Sequence, residues 1–303
     1  MTVSYCIPLY NKRRYIAAVL DAALAERAVT GGEVVVYDDA STDGSLELVR
    51  AKAVEHSIIV IEAERNRGVF DATTALIGRA GHPYLRLIDA DDVIVPGSTG
   101  HLVDLLRQHQ AVLAHGVIGW QDGSEPPADF AAASITVEAR PVRRLLRNID
   151  FNLSAGAITT AAAHSTLPLP SGLRISQDLC VTLRLVRRGR LVRSDATVVR
   201  QPRETDNRLS RRLAAMYRDI CLIVAEEFSG DMSRRDAAFA VRRQAGRCLR
   251  YFQREAPDGL VAADKVFLMR CRLATAIEPL RVHAGQLRRI AGLFERDAAR
   301  VLT

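Results

Sequence analysis

Apolar residues recur along this chain with two different periods. Residues 3–7 form a short run of β-formers, and Ile16, Val19, Leu20, Ala23 and Leu24 then follow at helical spacing. Residues 34–37 make a second β run. The polar stretch Asp38-Asp39-Ala40-Ser41-Thr42-Asp43-Gly44-Ser45 after it feeds a helix to about residue 54. Residues 58–61 predict a third strand, 69–80 a helix, and 84–88 a fourth strand that runs straight into Asp89-Ala90-Asp91-Asp92. Pro96-Gly97-Ser98 reads as a helix start and 111–118 as a further strand.

Strand and helix alternating at this spacing mean βαβ units. The fold class is therefore α/β, a mostly parallel sheet flanked by helices. In such sheets ligands collect beyond the carboxyl ends of the strands. Both acidic clusters stand at such ends, so they are expected to converge on one rim. Residues 120–139 read as a loop. From about Thr205 the pattern turns helical, with Leu209, Leu213, Met216, Ile220, Val224 and Phe228 on one stripe and three further helical stretches after it. The expected division is a catalytic α/β domain over 1–204 and a helical C-terminal subdomain over 205–303, with arginines on its outer faces.

Composition narrows the class. With 303 residues, 48% hydrophobic and 25% charged, the chain is neither disordered nor of low complexity. Cys6, Cys180, Cys221, Cys248 and Cys271 are odd in number and include no C-x-x-C pair, so they read as small core residues in a reducing compartment. No signal peptide is expected from the first residues, and no apolar run approaches the roughly 18 residues of a membrane span. The expected location is cytoplasmic, with any membrane contact peripheral, at the inner face. Charge changes the picture more. Residues 1–140 carry 12 Lys+Arg against 19 Asp+Glu, a net of −7, whereas residues 141–303 carry 30 against 16, a net of +14. An acidic front and an arginine-rich back invite a metal-bound polyanionic substrate, a nucleic acid or an anionic membrane.

Three carboxylates in Asp89-Ala90-Asp91-Asp92 repel one another, which water or a cation must relieve. Mg2+ or Mn2+ prefers oxygen ligands and commonly takes one or two carboxylates plus substrate phosphates. Asp38 and Asp39 lack a Gly-rich phosphate loop, but a carboxylate there can accept hydrogen bonds from a base or a ribose. Ser41 and Asp43 read as helix caps.

The stretch Ser4-Tyr5-Cys6-Ile7-Pro8-Leu9-Tyr10-Asn11, the segment from Glu33 to Ser45 and the segment from Tyr84 to Asp92 together resemble family 2 glycosyltransferases, inverting enzymes with the GT-A fold. The resemblance covers residues 3 to about 120 well and the next hundred loosely. It implies that Pro8 and Tyr10 pack the nucleotide base and that Asp39, with Asp38 beside it, bonds base or ribose. It implies that Asp89 and Asp91 form the D-x-D, with Asp91 on the metal, and that Asp92 lies near the sugar. The family takes its general base from a Glu-Asp pair opening a helix. Here Ser176-Gln177-Asp178-Leu179 matches with Gln177 in place of Glu, so Asp178 is the candidate base. The usual His-bearing segment after the base is missing, and Arg203 or Arg208 stands where a phosphate clamp would be. The implied donor is a nucleotide-sugar, a UDP-sugar first, and the acceptor a glycan or a lipid-linked glycan in bacterial-type surface glycan synthesis.

Two rivals remain at this level. A nucleotidyltransferase also uses carboxylate-bound Mg2+, yet residues 7–12 supply no Gly-rich phosphate loop. A non-catalytic nucleic-acid- or glycan-binding protein would use the basic back, but those arginines have few interleaved aromatics, which speaks against nucleic acid.

Overall fold

The structure, a computed structural model, describes residues 1–122, 128–148, 151–203, 213–228, 232–277 and 283–301. Its elements run β1 (Val3–Leu9), α1 (Ile16–Thr30), β2 (Gly32–Asp38), α2 (Ser45–Glu55), β3 (Ile58–Glu62), α3 (Val69–Arg79), β4 (Tyr84–Leu87), β5 (Val93–Ile94), α4 (Ser98–Gln108), β6 (Ala111–Trp120) and β7 (Ile135–Val137). There follow α5 (Pro141–Asn148), β8 (Gly156–Thr159), α6 (Thr160–His164), α7 (Gln177–Val186), β9 (Arg190–Gln201), α8 (Leu213–Phe228), α9 (Arg234–Arg254), α10 (Ala262–Ile277) and α11 (Ala284–Val301).

Compact packing divides the chain into two units. The first holds Met1–Ala139, Phe151–Ser171 and Val181–Asp206; the second holds Arg140–Asp150, Gly172–Cys180 and Asn207–Thr303. The expected cut after residue 204 runs once through the chain. The packing instead assigns α5 and the segment from Gly172 through the first turn of α7 to the second unit, dividing α7 after Cys180.

In the first unit the described strands form one sheet in the order β3-β2-β1-β4-β8-β6-β9-β5, with β7 paired to β9. β1, β2, β3 and β4 are mutually parallel and β6 is parallel to β9. β8 enters antiparallel between β4 and β6. Successive side chains of a strand face opposite sides, and β1 is buried on both. Val3, Tyr5, Ile7 and Leu9 join Ile16, Val19 and Leu20 of α1 and Leu102 and Leu106 of α4 in one core. On the other face the Cys6 thiol donates to the Leu76 carbonyl of α3 at 3.7 Å. Gly32 opens β2 at φ +112°, where a Cβ would meet the Val3 carbonyl oxygen at 2.0 Å; only glycine lets the two parallel strands begin side by side.

The second unit is helical. Ile220 and Val224 of the expected stripe on α8 are buried and Met216 is half-buried, whereas Leu213 is exposed and Leu209 lies outside the described residues. Tyr217, Tyr251, Phe252 and Phe294 pack ring against ring between α8, α9 and α11. Arginines are not confined to outer faces: Arg247 is buried and donates to the Arg147 carbonyl oxygen. All five cysteines are buried and none of them takes part in a disulfide.

Candidate active site

The parallel strands bring β1, β2 and β4 side by side, so their carboxyl ends share a rim. Pro8 pairs with Tyr37 and Leu9 with Asp38 in register, and the Asp39 amide donates to the Leu9 carbonyl at 2.8 Å. Beyond β1 the chain turns at Asn11, which adopts φ 52°. That turn is stitched to the loop after β2. The Asn11 amide donates to Ser41 Oγ at 3.0 Å, the Thr42 amide to Asn11 Oδ1 at 2.7 Å and the Lys12 amide to Ser45 Oγ at 2.9 Å. Asp43 accepts the Ser45 and Arg13 amides and so meets one first-turn amide of α2, whose cap residue is Gly44. Ser41, also expected to meet a helix amide, instead joins Ser45 in fastening the neighbouring loop. Tyr10 stands on this anchored turn with 47% of its surface exposed, as a face for stacking requires.

Asp38 and Asp39 are both buried but differently used. Asp38 Oδ2 accepts the Ser41 amide at 3.0 Å, while its buried Oδ1 has no partner. Buried polar atoms are rarely left unpaired, so this oxygen suits a donor N–H or O–H arriving with a ligand. Asp39 instead clamps the loop before α3, accepting the Arg67 amide at 2.7 Å and the Gly68 amide at 2.8 Å. Each oxygen keeps one further lone pair for a ligand. This clamp was not legible from spacing, because Asp39 reaches 28 residues ahead. Two charge-assisted bonds to a loop predict that Asp39→Asn, which repels one of the two amides, loses about 1–3 kcal/mol of stability. Urea unfolding that matched wild type would remove the clamp.

The acidic turn begins two residues beyond the last pair of β4. The Asp89 amide donates to Ser154 Oγ at 2.9 Å, and the Asp92 amide to the Asp89 carbonyl at 2.9 Å. Asp92 is buried, and its Oδ2 accepts Gln201 Nε2 at 3.2 Å and Asn152 Nδ2 at 3.5 Å. Asp91 pairs with the Lys12 ammonium at 2.6 Å. Burial, then the neighbouring Asp91 charge, pushes Asp89 up to about 6; burial, then Asp89 and Asp91, raises Asp92 well above the usual carboxylate range. Full ionisation of the three would put more negative charge here than Lys12 alone offsets, which is why burial and mutual repulsion favour the protonated forms of Asp89 and Asp92 until a cation arrives. Among the described residues no three His, Cys, Asp or Glu side chains gather into a ready-made metal cluster. An oxygen-only donor set with uncompensated charge nevertheless fits one hard divalent cation that completes its shell with phosphate and water.

Beneath the turn lies a fully buried cation, Arg86, whose place in an apolar strand gives no sign of its role. Its Nη1 donates to Ser98 Oγ at 3.0 Å and Thr99 Oγ1 at 3.1 Å, and its Nη2 to the Ser154 carbonyl at 2.8 Å. Glu26, also buried, accepts the Gly97 and Thr99 amides at the start of α4 at 2.6 and 3.0 Å.

The remaining candidates are placed as follows. Arg203 stacks on the Trp120 ring with 4.9 Å to its centroid and ion-pairs with Asp122. Trp120 is therefore covered by a guanidinium on that face, and the alternative clamp, Arg208, lies outside the described residues. Asp178 sits half-buried in the first turn of α7, in the second unit. There the approach to α7 is held by buried Asp219 of α8, whose Oδ2 accepts the Arg174 and Ile175 amides at 2.7 and 2.8 Å. Asp219 carried no signal in the sequence beyond a polar residue on an apolar helix face.

A sheet of this order, with acidic strand ends on its rim and helices on both faces, defines a GT-A type nucleotide-binding fold. Residues 4–166 match the family described as glycosyl transferase family 2, more than half of the chain. The chain belongs to that family. Over 102 residues it is 33% identical to the succinoglycan biosynthesis protein ExoO of Rhizobium meliloti (strain 1021), covering 34% of this chain and 29% of that protein. Over 190 residues it is 26% identical to the poly(ribitol-phosphate) beta-N-acetylglucosaminyltransferase TarS of Staphylococcus aureus (strain MW2), covering 61% of this chain and 32% of that protein. The chain thus spans less than a third of these curated relatives. Among solved structures, S. aureus TarS 1-349 in complex with UDP-GlcNAc superposes with a TM-score of 0.68 at 16% identity, covering 98% of this chain and 92% of that one. The mannosyltransferase PcManGT of Pyrobaculum calidifontis, in complex with GDP-Man and Mn2+, superposes with a TM-score of 0.59 at 17% identity, covering 99% and 86%. Both likenesses establish the fold.

Proposed function

We propose that this chain transfers a sugar, with inversion, from a nucleoside-diphosphate sugar to an acceptor hydroxyl on a glycan or a lipid-linked glycan. The observation that carries the reading is the shared rim of β1, β2 and β4, where Tyr10, Asp38 and the acidic turn converge in a family 2 chain. Pro8 and Tyr10 pack the base, and Asp39 with Asp38 beside it accepts base or ribose hydrogen bonds, Asp38 on its open oxygen and Asp39 on the lone pairs left by its clamp on the Arg67 and Gly68 amides. Asp89 and Asp91 are the carboxylates that would hold Mn2+ or Mg2+, and Asp92, fixed by Gln201 and Asn152, faces the sugar's end of the donor. When bound, the cation supplies charge neutralisation of the departing diphosphate. Asp178 is taken as the base from the order of motifs along the chain; it removes the proton of the acceptor hydroxyl. A UDP-sugar is the preferred donor, since a neighbour of the same fold carries UDP-GlcNAc, and surface glycans are the preferred product class, since ExoO and TarS are named for such polymers.

A thermal-shift screen of nucleoside diphosphates and nucleotide-sugars, with and without Mn2+, tests the reading. A donor at a hundred times its Kd stabilises by about 2.7 kcal/mol, a rise of roughly 5–10 °C. No shift with any of them in the presence of Mn2+ or Mg2+ would sink it. Asp178→Asn should keep that shift and lose at least about a hundredfold in transfer. Wild-type turnover in this variant would remove the base assignment alone.

A further inference from the structure

Twelve large hydrophobic side chains are exposed among the described residues, and four of them, Val261, Val266, Met269 and Leu273, belong to α10 and its lead-in. Their exposures are 61%, 51%, 48% and 58%. At 3.6 residues per turn Val266, Met269 and Leu273 stand at i, i+3 and i+7, one stripe along the helix. Leu268 and Cys271, on the opposite side, are buried, as is Asp264, which ion-pairs with Arg296 of α11 at 2.7 Å. The helix therefore has two apolar faces, and only one of them is used by its own unit.

Cations frame the unused face. Lys265 and Arg272 flank one edge and Arg270 the other, all exposed. Exposed Arg289 of α11 lies on the Arg270 edge, its guanidinium 3.9 Å from the Phe267 ring centroid. Asp264 is the sole acid within α10, and it is turned inward and neutralised. Among the described residues Lys265 and Arg270 make no ion pair.

We infer that this face of α10 docks on an anionic lipid surface, with Val266, Met269 and Leu273 entering the acyl boundary and Lys265, Arg270, Arg272 and Arg289 meeting the headgroups. An apolar stripe edged by Lys and Arg is the pattern of helices that lie in the plane of an interface. A second copy is a poor occupant. A two-fold contact would set the stripe against itself and bring Lys265 and Arg270 against like charges. A nucleic acid would find no use for the apolar centre, because its affinity comes from phosphate contacts. No helix among the described residues is long and apolar enough to cross a membrane, so the contact is peripheral. The inference stands on the second unit alone and does not depend on the transfer reaction.

Co-sedimentation of the intact protein with vesicles tests it, using phosphatidylcholine alone and phosphatidylcholine mixed with phosphatidylglycerol. Wild type should pellet with the anionic vesicles several-fold more than with the neutral ones, and salt should weaken the binding. Lys265→Gln with Arg270→Gln should lower affinity for anionic vesicles about tenfold or more. Met269→Asp with Leu273→Asp should abolish binding to them without changing the melting temperature. If that pair disturbs folding, Met269→Gln with Leu273→Gln must show the same loss in a folded protein. Equal pelleting with both vesicle types, no pelleting at all, or undiminished pelleting of the folded variants overturns the proposal. So does lipid-free self-association that the Met269 and Leu273 variants dissolve, which would make the face a contact between copies.

Discussion

Asp91→Ala should reduce sugar transfer about a thousandfold or more and abolish the extra thermal stabilisation that Mn2+ gives in the presence of a nucleoside diphosphate. The magnitude follows from removing the carboxylate proposed to hold the cation. Neutralising a departing diphosphate contributes several kcal/mol, and about 4 kcal/mol is a thousandfold in rate. The geometry adds a control. Asp91 pairs with Lys12 at 2.6 Å, and both side chains are about one-fifth exposed or less, at 16% and 21%. Removing Asp91 therefore frees an ammonium beside the rim. An effect through lost pairing alone would appear without metal as a changed melting temperature, and it would be repaired by Lys12→Met. An effect through the cation would survive that second substitution. Asp91→Ala with wild-type turnover and an intact Mn2+-dependent shift would falsify the metal assignment and leave the fold and the nucleotide rim untouched.

The halves of the molecule differed in how much their pattern disclosed. The parallel core was legible because β1 to β4 are short apolar runs separated by amphipathic helices, and the boundaries fall within one or two residues of the pattern. Both acidic clusters could be set on a rim because strand polarity is fixed in βαβ units. β8 escaped because Gly-Ala-Ile-Thr is four residues long and carries no alternation, although the sheet needs it between β4 and β6. β9 escaped for another reason. Its twelve residues include Arg190, Arg193, Asp195 and Arg200, charges that interrupt the apolar run by which the other long strands are recognised. The same limit holds at the candidate site. Residue types announced Asp89, Asp91 and Asp92, yet nothing local announced Gln201 or Asn152, which come from 109 and 60 residues away to hold Asp92. Tertiary partners of a candidate-site carboxylate leave no periodic trace.

Arg86 makes the same point energetically, and its replacement is expected to have the largest effect on stability. Arg86→Met should cost about 3–5 kcal/mol in urea unfolding, the loss typical when one partner of a buried charged network is removed. The guanidinium is fully buried on β4, and burial pulls its pKa down to about 10, still far enough above neutrality to keep it charged. The Glu26 charge opposes that fall in the Arg86 pKa, and Glu26 in turn holds the first amides of α4. Methionine fills much of the volume but leaves the Ser154 carbonyl unmet and Glu26 without a cation. Arg86→Lys should lie between, because one ammonium cannot span Ser98, Thr99 and Ser154 as a fork does. Glu26→Gln added to Arg86→Met should recover part of the loss, and a double-mutant cycle reads the coupling directly. The consequence also reaches the rim. Ser154 gives its carbonyl to Arg86 and its hydroxyl oxygen to the Asp89 amide, so a shifted Ser154 loosens the acidic turn. A folded Arg86→Met protein should bind a nucleoside diphosphate with Mn2+ more weakly than wild type. If its donor affinity were unchanged, the buried arginine would serve stability alone.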